Sequence, residues 1–202
     1  MTPGWLSRLE GELLPDSWGQ SEMPQASVLV LIDAMQSTPG VVLTRRARHL
    51  RLHAGEVAFP GGMCDSDDHD HWHTALREAD EEIALPREHV RPLGTLPSRV
   101  SRTGIEVYPC VAELVRPTRY RANPEELDTV FEVPLAFLAE AGNLQYDRVR
   151  HRGGLKAVPR YDWQEHRIWG MTAGILVALV NRAFDAGLEL EPDWRGMPGI
   201  GA

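Results

Sequence analysis

The chain has 202 residues, of which 43% are hydrophobic, and its 29 acidic residues outnumber its 21 basic ones to give a formal charge of −8. We expect one domain over residues 1–202, with an N-terminal arm over about 1–22 and a C-terminal tail over about 190–202, both loosely packed. The acidic balance argues against binding of long nucleic acids. Two cysteines are too few for a disulfide framework. Because the chain has neither a run of about eighteen apolar residues nor a signal-peptide pattern, we expect no membrane segment and a cytoplasmic location.

Strands and helices alternate along the predicted elements. Strands are expected at residues 26–32, 41–44, 90–96, 107–114, 127–133, 144–150 and 155–161. A turn of Ser, Thr, Pro and Gly between the first two strands predicts a hairpin. Helices are expected at residues 71–84, 134–141 and 171–186, with Pro86 and Gly187 as stop signals for the first and the last. This order indicates an α/β fold in which helices flank a mixed sheet.

Three carboxylates crowd one end of the helix predicted at residues 71–84. At about 3.6 residues per turn, Glu78 and Glu82 lie one turn apart with Glu81 beside them, so all three can project toward one point. Such like charges repel one another unless a cation lies between them, and ligation by oxygen alone suits Mg²⁺ or Mn²⁺. The alternative for a bare run of glutamates is a solvated helix face.

The segment before this helix combines a glycine turn with an acidic loop that is rich in histidine. In the turn FPGG at residues 59–62, the backbone can approach a ligand closely because glycine has no Cβ, and a carbonyl there could add an oxygen ligand. His69, His71 and His73 invite a transition-metal interpretation at their i, i+2 spacing. Because a helix that begins near His71 would point them in different directions, we favour solvated loop histidines.

The order of these residues resembles the Nudix box, commonly written G-x5-E-x7-R-E-U-x-E-E-x-G-U, with U an apolar residue. The matching residues are Gly62, Arg77, Glu78, Ala79, Glu81, Glu82 and Leu85. Two positions depart from the box. Gly62 and Arg77 are one residue further apart than usual, and Ala84 stands where glycine is usual. The loop acid of the box therefore has two candidate counterparts, Asp68 when counted from Gly62 and His69 when counted from Arg77.

This resemblance implies the α/β/α Nudix sandwich and a divalent metal cofactor, Mg²⁺ or Mn²⁺. It assigns the metal to Glu78, Glu81 and Glu82, with the carbonyl of Gly61 as a further ligand, and Glu82 corresponds to the most constant ligand of the family. Arg77 is expected to orient the glutamates through charge-assisted hydrogen bonds, although an ordinary surface pair with Glu81 is the alternative. Glu78, Glu81 and Arg77 are therefore the catalytic candidates.

The general base stays open at this point. In the family this role moves between the box and distant loops, so the base is either one of the three glutamates or an acid from another loop. Glu125 and Glu126 are candidates for such a loop acid, but we favour a solvated turn for both.

Sequence outside the box resembles one branch of the family, the coenzyme A pyrophosphatases. That branch shares the longer spacing after the turn and the upstream run HAGEVAFPGG at residues 53–62. Weaker matches are NPEE at 123–126, VPL at 133–135 and IWGMTA at 168–173. The resemblance implies metal-dependent hydrolysis of coenzyme A or acyl-coenzyme A to adenosine 3′,5′-bisphosphate and 4′-phosphopantetheine or its acyl derivative.

The candidates for substrate binding form the dense basic stretch of this acidic chain. Its members are Arg45, Arg46, Arg48, Arg51 and His53. Coenzyme A carries a 3′-phosphate beside its pyrophosphate, which such a stretch can bind, while the alternative is a set of side chains that face water. Arg99 and Arg102 are comparable candidates.

Two other functions stay open for the sequence. One is the same hydrolysis of ADP-ribose, NADH or a dinucleotide, and the other is a catalytically silent domain that binds a nucleotide or a protein. The three intact glutamates argue against the silent domain. We expect a small nucleotide pyrophosphate as partner, no long nucleic acid and no membrane, and we consider a homodimer as one assembly.

Overall fold

A computed structural model describes residues 2–151 and 154–190 of the protein. Its helices are α1 (Gly4–Gly11), α2 (His71–Ile83), α3 (Leu135–Ala139) and α4 (Gly170–Phe184). Its strands are β1 (Gln25–Asp33), β2 (Gly40–Arg46), β3 (Val57–Ala58), β4 (Gly61–Met63), β5 (Val90–Thr95), β6 (Arg99–Val100), β7 (Glu106–Leu114), β8 (Leu127–Pro134), β9 (Gln145–His151), β10 (Gly154–Trp163) and β11 (His166–Trp169). The sequence did not predict β3, β4, β6 and β11, because strands of two to four residues are too short to give a periodic signal.

The main sheet is mixed. β1 and β7 run parallel at its centre, from Gln25 opposite Glu106 to Ile32 opposite Glu113, while β2 and β5 flank them in antiparallel pairs. The predicted hairpin of β1 and β2 is confirmed, with Ile32 opposite Val41. The strand order is β3-β2-β1-β7-β5, with β4 on β1, β6 on β7 and β8 on β2. β9, β10 and β11 form a separate antiparallel sheet.

Alternating side chains of β1 divide the core into two layers. Leu29 and Leu31 belong to the cluster that includes Ala79 of α2. Val30 and Ile32 belong to a second cluster, which includes residues of α1, α3 and α4. Helix α2 therefore covers one face of the sheet and the other helices cover the opposite face. This arrangement confirms the predicted α/β/α sandwich with a mixed sheet.

Local signals set the ends of α2. The side chain of Asp70 caps the first turn by accepting the backbone N–H of His73 at 2.6 Å. Ala84 ends the helix in the left-handed region, with φ 53° and ψ 46°, where glycine is usual. The predicted helix at residues 71–84 is therefore correct to within one residue.

The last described helix ends earlier than the sequence predicts. Asp185 adopts a left-handed conformation with φ 57° and closes α4 after Phe184, before the predicted stop at Gly187. Aspartate tolerates this conformation better than most residues. The predicted C-terminal tail lies outside the described residues from position 191 onward.

The N-terminal segment is packed into the fold. Leu6 and Leu9 of α1 are fully buried, and the ring centroids of Trp5 and Phe184 lie 5.5 Å apart, which joins α1 to α4. The expectation of a loosely packed N-terminal arm is therefore wrong for this part of the chain, although the single domain over 1–202 stays a prediction.

Within residues 2–151 and 154–190, no helix is both long enough and apolar enough to cross a bilayer.

Candidate functional site

Glu82 is the most buried acid of α2. It is 4% exposed, and one of its carboxylate oxygens accepts the backbone N–H of Gly61 at 3.2 Å. The pKa of Glu82 is raised to about 8, mainly by burial, which outweighs the Gly61 hydrogen bond, and in part by the charges of Glu126 and Glu78. The positive charge of Arg46 lowers this pKa. A cation beside Glu82 would stabilise its ionised form in the same way.

Glu78 lies against Gly62, where a larger residue would displace its carboxylate. A Cβ placed on Gly62 would lie 2.4 Å from Oε1 of Glu78, which is far inside normal contact distance. Arg77 donates an N–H to the same oxygen at 2.9 Å. Burial raises the pKa of Glu78, Arg77 lowers it, and the charges of Glu81 and Glu126 raise it. Glu78 is therefore a half-buried carboxylate that one arginine holds in place.

Gly61 is also fixed by its surroundings. It lies opposite Val28 in the pairing of β4 with β1 and has φ +153°. A Cβ at this position would lie 2.3 Å from the carbonyl oxygen of Ser27 and 2.6 Å from the Cα of Val28. The glycine turn therefore lets β4 approach β1 closely and brings the Gly61 backbone to Glu82.

Asp68 is the loop acid that contacts α2. Its side chain is 1% exposed. Its carboxylate accepts hydrogen bonds from the Asp65 backbone N–H at 2.8 Å, His73 Nδ1 at 2.6 Å, Thr74 Oγ1 at 2.8 Å, Arg77 Nε at 3.3 Å and Arg77 Nη2 at 3.1 Å. Burial alone would raise the pKa of Asp68, but the hydrogen bonds from Arg77, Asp65, Thr74 and His73 outweigh it and hold the pKa well below its ordinary value.

Of the two candidate counterparts of the loop acid, Asp68 and His69, these contacts show that Asp68 is the one that contacts Arg77. Asp68 binds the Nε and Nη2 atoms of Arg77, while Nη1 of Arg77 reaches Glu78 at 2.9 Å and Glu81 at 3.5 Å. His69 is exposed and lies beside Asp70 instead. The geometry therefore links Asp68, through Arg77, to two glutamates of α2.

The interpretation of the three histidines as solvated is wrong for His71. His71 is fully buried, its ring stacks on Tyr108 with centroids 3.6 Å apart, and its Nδ1 lies 2.5 Å from Asp16. His73 is half-buried and binds the loop acid described above, whereas His69 is exposed, with its ring centroid 4.4 Å from that of His73. Each histidine thus has a different environment, as their spacing on a helix start implies.

A loop after β7 brings a distant acid to α2. The backbone N–H of Asn123 donates to the carbonyl of Glu82 at 2.8 Å, which fastens this loop to the last turn of the helix. Glu126 is half-buried, and its charge raises the pKa of both Glu78 and Glu82. Glu125 is exposed. The interpretation as a solvated turn therefore fits Glu125 and does not fit Glu126.

The basic stretch does not reach α2 as one surface. Arg45 and Arg48 both lie near Asp128, at N–O distances of 3.7 and 3.8 Å. The Nδ1 atom of His53 lies 2.8 Å from the carboxylate of Glu56. These three predicted side chains are therefore engaged with neighbouring acids.

The remaining basic candidates also lie in different surroundings. Arg46 is the member whose charge acts on Glu82, and its Nε is buried with no hydrogen-bond partner in the described parts of the chain. Arg51 is exposed in the loop after β2. Arg99 donates to a carbonyl of α4 at 3.3 Å, on the face of the sheet opposite α2, and Arg102 is exposed.

The chemistry of the acidic cluster fits a hard divalent cation. Its four carboxylates are Glu78, Glu81, Glu82 and Glu126. They supply only oxygen atoms, and a cation between them would relieve their mutual repulsion. Across residues 2–151 and 154–190, no three Asp, Glu, His or Cys side chains form a metal cage. Instead, Arg77 engages two of the glutamates and the Gly61 N–H engages the third.

Sequence reasoning missed one residue at this site and misjudged another. Asp16 was not a candidate, because no local motif connects it with His71, which lies 55 positions away. For Glu126 the sequence favours a solvated turn, and the weak NPEE match is the signal that points to a place nearer the site.

Known proteins resemble this chain over most of its length. A family model described as NUDIX domain matches residues 23–152. The uncharacterized Nudix hydrolase NudL of Salmonella paratyphi B is 44% identical over 153 residues, covering 75% of this chain and 79% of that protein. The protein of the same name in Escherichia coli (strain K12 / DH10B) is 42% identical over 152 residues, with the same coverage of 75% and 79%. A MutT/nudix family protein from Enterococcus faecalis shares the fold with a TM-score of 0.53 at 16% identity, covering 90% of this chain and 68% of that one.

Proposed function

The chain belongs to the Nudix hydrolase family, and we propose that its substrate is coenzyme A or an acyl-coenzyme A. Hydrolysis of the pyrophosphate bond would yield adenosine 3′,5′-bisphosphate and 4′-phosphopantetheine or its acyl derivative. The observation that carries the hydrolytic part is the buried Glu82 beside Glu78 and the Gly61 backbone. The choice of coenzyme A rests on the resemblance of residues 53–62 and the longer loop before α2. As the sequence predicts, we place the reaction in the cytoplasm.

A divalent metal, as in Nudix hydrolases generally, is the cofactor of this proposal, with Mg²⁺ or Mn²⁺ as the candidates. Glu78, Glu81 and Glu82 would hold it, with the carbonyl of Gly61 as a further ligand. When bound, such an ion stabilises negative charge on the phosphoryl oxygens and lowers the pKa of bound water. All of these ligands are oxygen atoms, which is the ligand type that both ions prefer.

The protein contributes orientation and a proton acceptor. Asp68 holds Arg77 from one side, and Nη1 of Arg77 lies 2.9 Å from Glu78 and 3.5 Å from Glu81, so one arginine orients both carboxylates. In our proposal Glu126 takes the proton from the attacking water, because it is the acid outside α2 whose charge acts on Glu78. Loss of its carboxylate would then lower the rate without removing a helix ligand.

The basic stretch supplies substrate recognition in this proposal. Arg46 would meet the phosphates nearest the acids in this proposal, and the effect of its charge on Glu82 supports that assignment. Arg51 is exposed and would meet the 3′-phosphate further out, and His53, which is also exposed, would do so by giving up its contact with Glu56. Arg45 shares Asp128 with a neighbour, so it would bind the substrate only by giving up that ion pair.

A panel of three substrates tests the proposal. The purified chain is assayed with coenzyme A, ADP-ribose and NADH, each with Mg²⁺ or Mn²⁺, and the products are identified by mass spectrometry. We expect the highest kcat/KM with coenzyme A or an acyl derivative. Faster hydrolysis of ADP-ribose or NADH would contradict the choice of substrate, and no turnover of any compound would favour a silent domain. Light scattering on the same sample tests the homodimer.

The substitution Glu82→Gln tests the metal assignment. We expect kcat/KM to fall on the order of 1000-fold, because charge stabilisation by a metal is worth several kcal/mol. The glutamine oxygen can still accept the Gly61 N–H, so the melting temperature should stay close to that of the wild type. Asp80→Asn is the matched control, since Asp80 is an exposed acid of the same helix. Near-normal activity of Glu82→Gln would remove the metal assignment.

A further inference from the structure

The segment that follows α1 contacts both the end of β5 and the start of α2. Leu14 pairs with Thr95 at the end of β5, with N–O distances of 2.9 and 2.8 Å in the two directions. The Thr95 hydroxyl lies 3.2 Å from the carbonyl oxygens of both Leu14 and Pro15. The next residue, Asp16, contacts His71, the first residue of α2. The N-terminal segment thus connects the edge of the sheet to the helix that carries the candidate carboxylates.

Asp16 holds His71 with both of its carboxylate oxygens. Oδ2 accepts the backbone N–H of His71 at 3.0 Å, and Oδ1 accepts the ring Nδ1–H at 2.5 Å. The buried ring stacks on Tyr108 at 3.6 Å and meets the edge of Trp18 at 4.9 Å between centroids. Nε2 is buried and has no hydrogen-bond partner in the described residues, so Asp16 and the ring contacts determine how His71 is oriented.

We propose that Asp16 and His71 are positioning residues, which we call the N-terminal clasp, and that they fix the start of α2 and thereby its metal-binding glutamates. The clasp rests on the proposed function, because that function assigns a metal to these glutamates. Glu78 follows His71 by about two helical turns, roughly 10 Å along the axis, so a shift of the first turn is transmitted to it. The carboxylate of Asp16 also complements the positive end of the helix dipole.

Two other polar contacts of α2 come from the chain directly before it. Asp70 caps the helix from the adjacent residue, and Asp68 holds Arg77 from the loop directly before the helix. Both acids belong to the same stretch of chain as α2 and would move with it. Asp16 belongs to a segment that is fastened to β5, so it holds the helix start against a separate part of the fold.

The test compares Mn²⁺ binding by the full chain and its variants, measured from the electron paramagnetic resonance signal of free Mn²⁺. For Asp16→Ala we expect the Mn²⁺ dissociation constant to rise about tenfold, the size of effect seen when supports behind metal ligands are removed. Hydrogen exchange of the amides in the first turn of α2 should also become faster. Neither measurement depends on turnover or on the identity of the substrate.

Thr95→Val is the matched control, because it removes the hydroxyl contacts to Leu14 and Pro15 but keeps the two backbone hydrogen bonds that fasten the segment to β5, and it leaves Asp16 and His71 in place. We expect this variant to keep the wild-type dissociation constant and exchange rates in α2. Asp16→Asn keeps an oxygen for the backbone N–H of His71 and should give an intermediate effect, and it replaces Asp16→Ala if that variant does not fold.

The outcomes separate the clasp from the proposed function. Unchanged Mn²⁺ affinity and exchange in Asp16→Ala, or equal changes in Thr95→Val, would overturn the clasp. A wild-type protein that binds no Mn²⁺ would contradict the proposed metal site, and the exchange comparison would then decide the clasp alone. Faster exchange in Asp16→Ala than in Thr95→Val supports it, and equal exchange overturns it.

Discussion

The buried acids around α2 and the exposed members of the basic stretch at residues 45–53 differ in how firmly the fold holds their side chains. Glu82 is 4% exposed, and the Asp68 side chain that holds Arg77 is 1% exposed. In the basic stretch, the side chains of Arg48 and His53 are 78% and 66% exposed, and they contact the neighbouring acids Asp128 and Glu56. Surface pairs of this kind contribute little to stability and can exchange partners readily.

The difference matches two separate tasks. Carboxylates that hold a metal must keep their positions within about 0.5 Å, which requires supporting contacts behind them. Charges that attract a phosphate act over a longer distance and tolerate mobile side chains. We therefore expect changes around α2 to lower kcat strongly, and changes in the basic stretch to act mainly on KM.

The largest effect outside the glutamates themselves should come from Gly62→Ala. The added Cβ would lie 2.4 Å from Oε1 of Glu78 and would displace that carboxylate. We expect kcat to fall by about 100-fold, measured with whichever substrate the wild type prefers. Gly62 does not have the positive φ that Gly61 has, so the steric contact with Glu78 is what this variant tests.

Gly142→Ala is the control for this substitution. The nearest heavy atom to a Cβ at Gly142 is Oε1 of Glu140 at 4.0 Å, which is an ordinary contact distance. We expect wild-type kinetics from this variant. Wild-type activity in Gly62→Ala would mean that Glu78 need not occupy this position, and the contrast between the two regions would be lost.

The next effect should come from Asp68→Asn, with His69→Asn as its control. Removing the charge that holds Arg77 should lower kcat by about tenfold and the free energy of unfolding by about 2 kcal/mol. His69→Asn should change neither quantity, because His69 is exposed and does not contact Arg77. Equal effects of both variants on kcat and on urea denaturation would contradict the role given to Asp68.

The pH dependence of this stability difference follows from the lowered pKa of Asp68. A carboxyl group whose pKa is lower in the folded state contributes stability above its unfolded pKa of 3.8 and loses it as the pH falls through the folded value. The difference between the wild type and Asp68→Asn should therefore be constant near neutral pH and shrink below about pH 4. A difference that grows on acidification would contradict the assignment.

The fold was predictable where a signal extends over many residues. The hairpin of β1 and β2, the strand β7 and the helix α2 all have long apolar or periodic patterns, and they are confirmed. Helix α1 was missed because it spans eight residues and its burial depends on a partner, α4, that lies far along the chain. Asp185 ended α4 earlier than Gly187 because an aspartate can adopt the left-handed conformation that usually indicates glycine.

The candidate site was predictable to a similar extent and for a similar reason. Helical spacing alone places Glu78, Glu81 and Glu82 near one another, so the sequence was sufficient to predict that they lie close together. The counterpart of the loop acid depends on the path of an irregular loop, which residue counting does not define. The contact of His71 with Asp16 joins positions 55 residues apart, and no spacing rule connects them.

The smallest effects should come from the basic stretch, where we compare the effects of Arg46→Ala and Arg51→Ala on KM. Arg46 acts on Glu82 from a partly buried position, so Arg46→Ala should raise KM about fivefold, as expected for the loss of one hydrogen bond worth about 1 kcal/mol. Arg51 is exposed, and Arg51→Ala should raise KM only about twofold, an effect that added salt removes. Arg46→Lys keeps the charge without the guanidinium fork and should lie between the wild type and Arg46→Ala. If both alanine variants instead lowered kcat as strongly as Gly62→Ala, the basic stretch would belong to the rigid part of the site, and the division between a fixed acidic helix and an adaptable basic surface would be wrong.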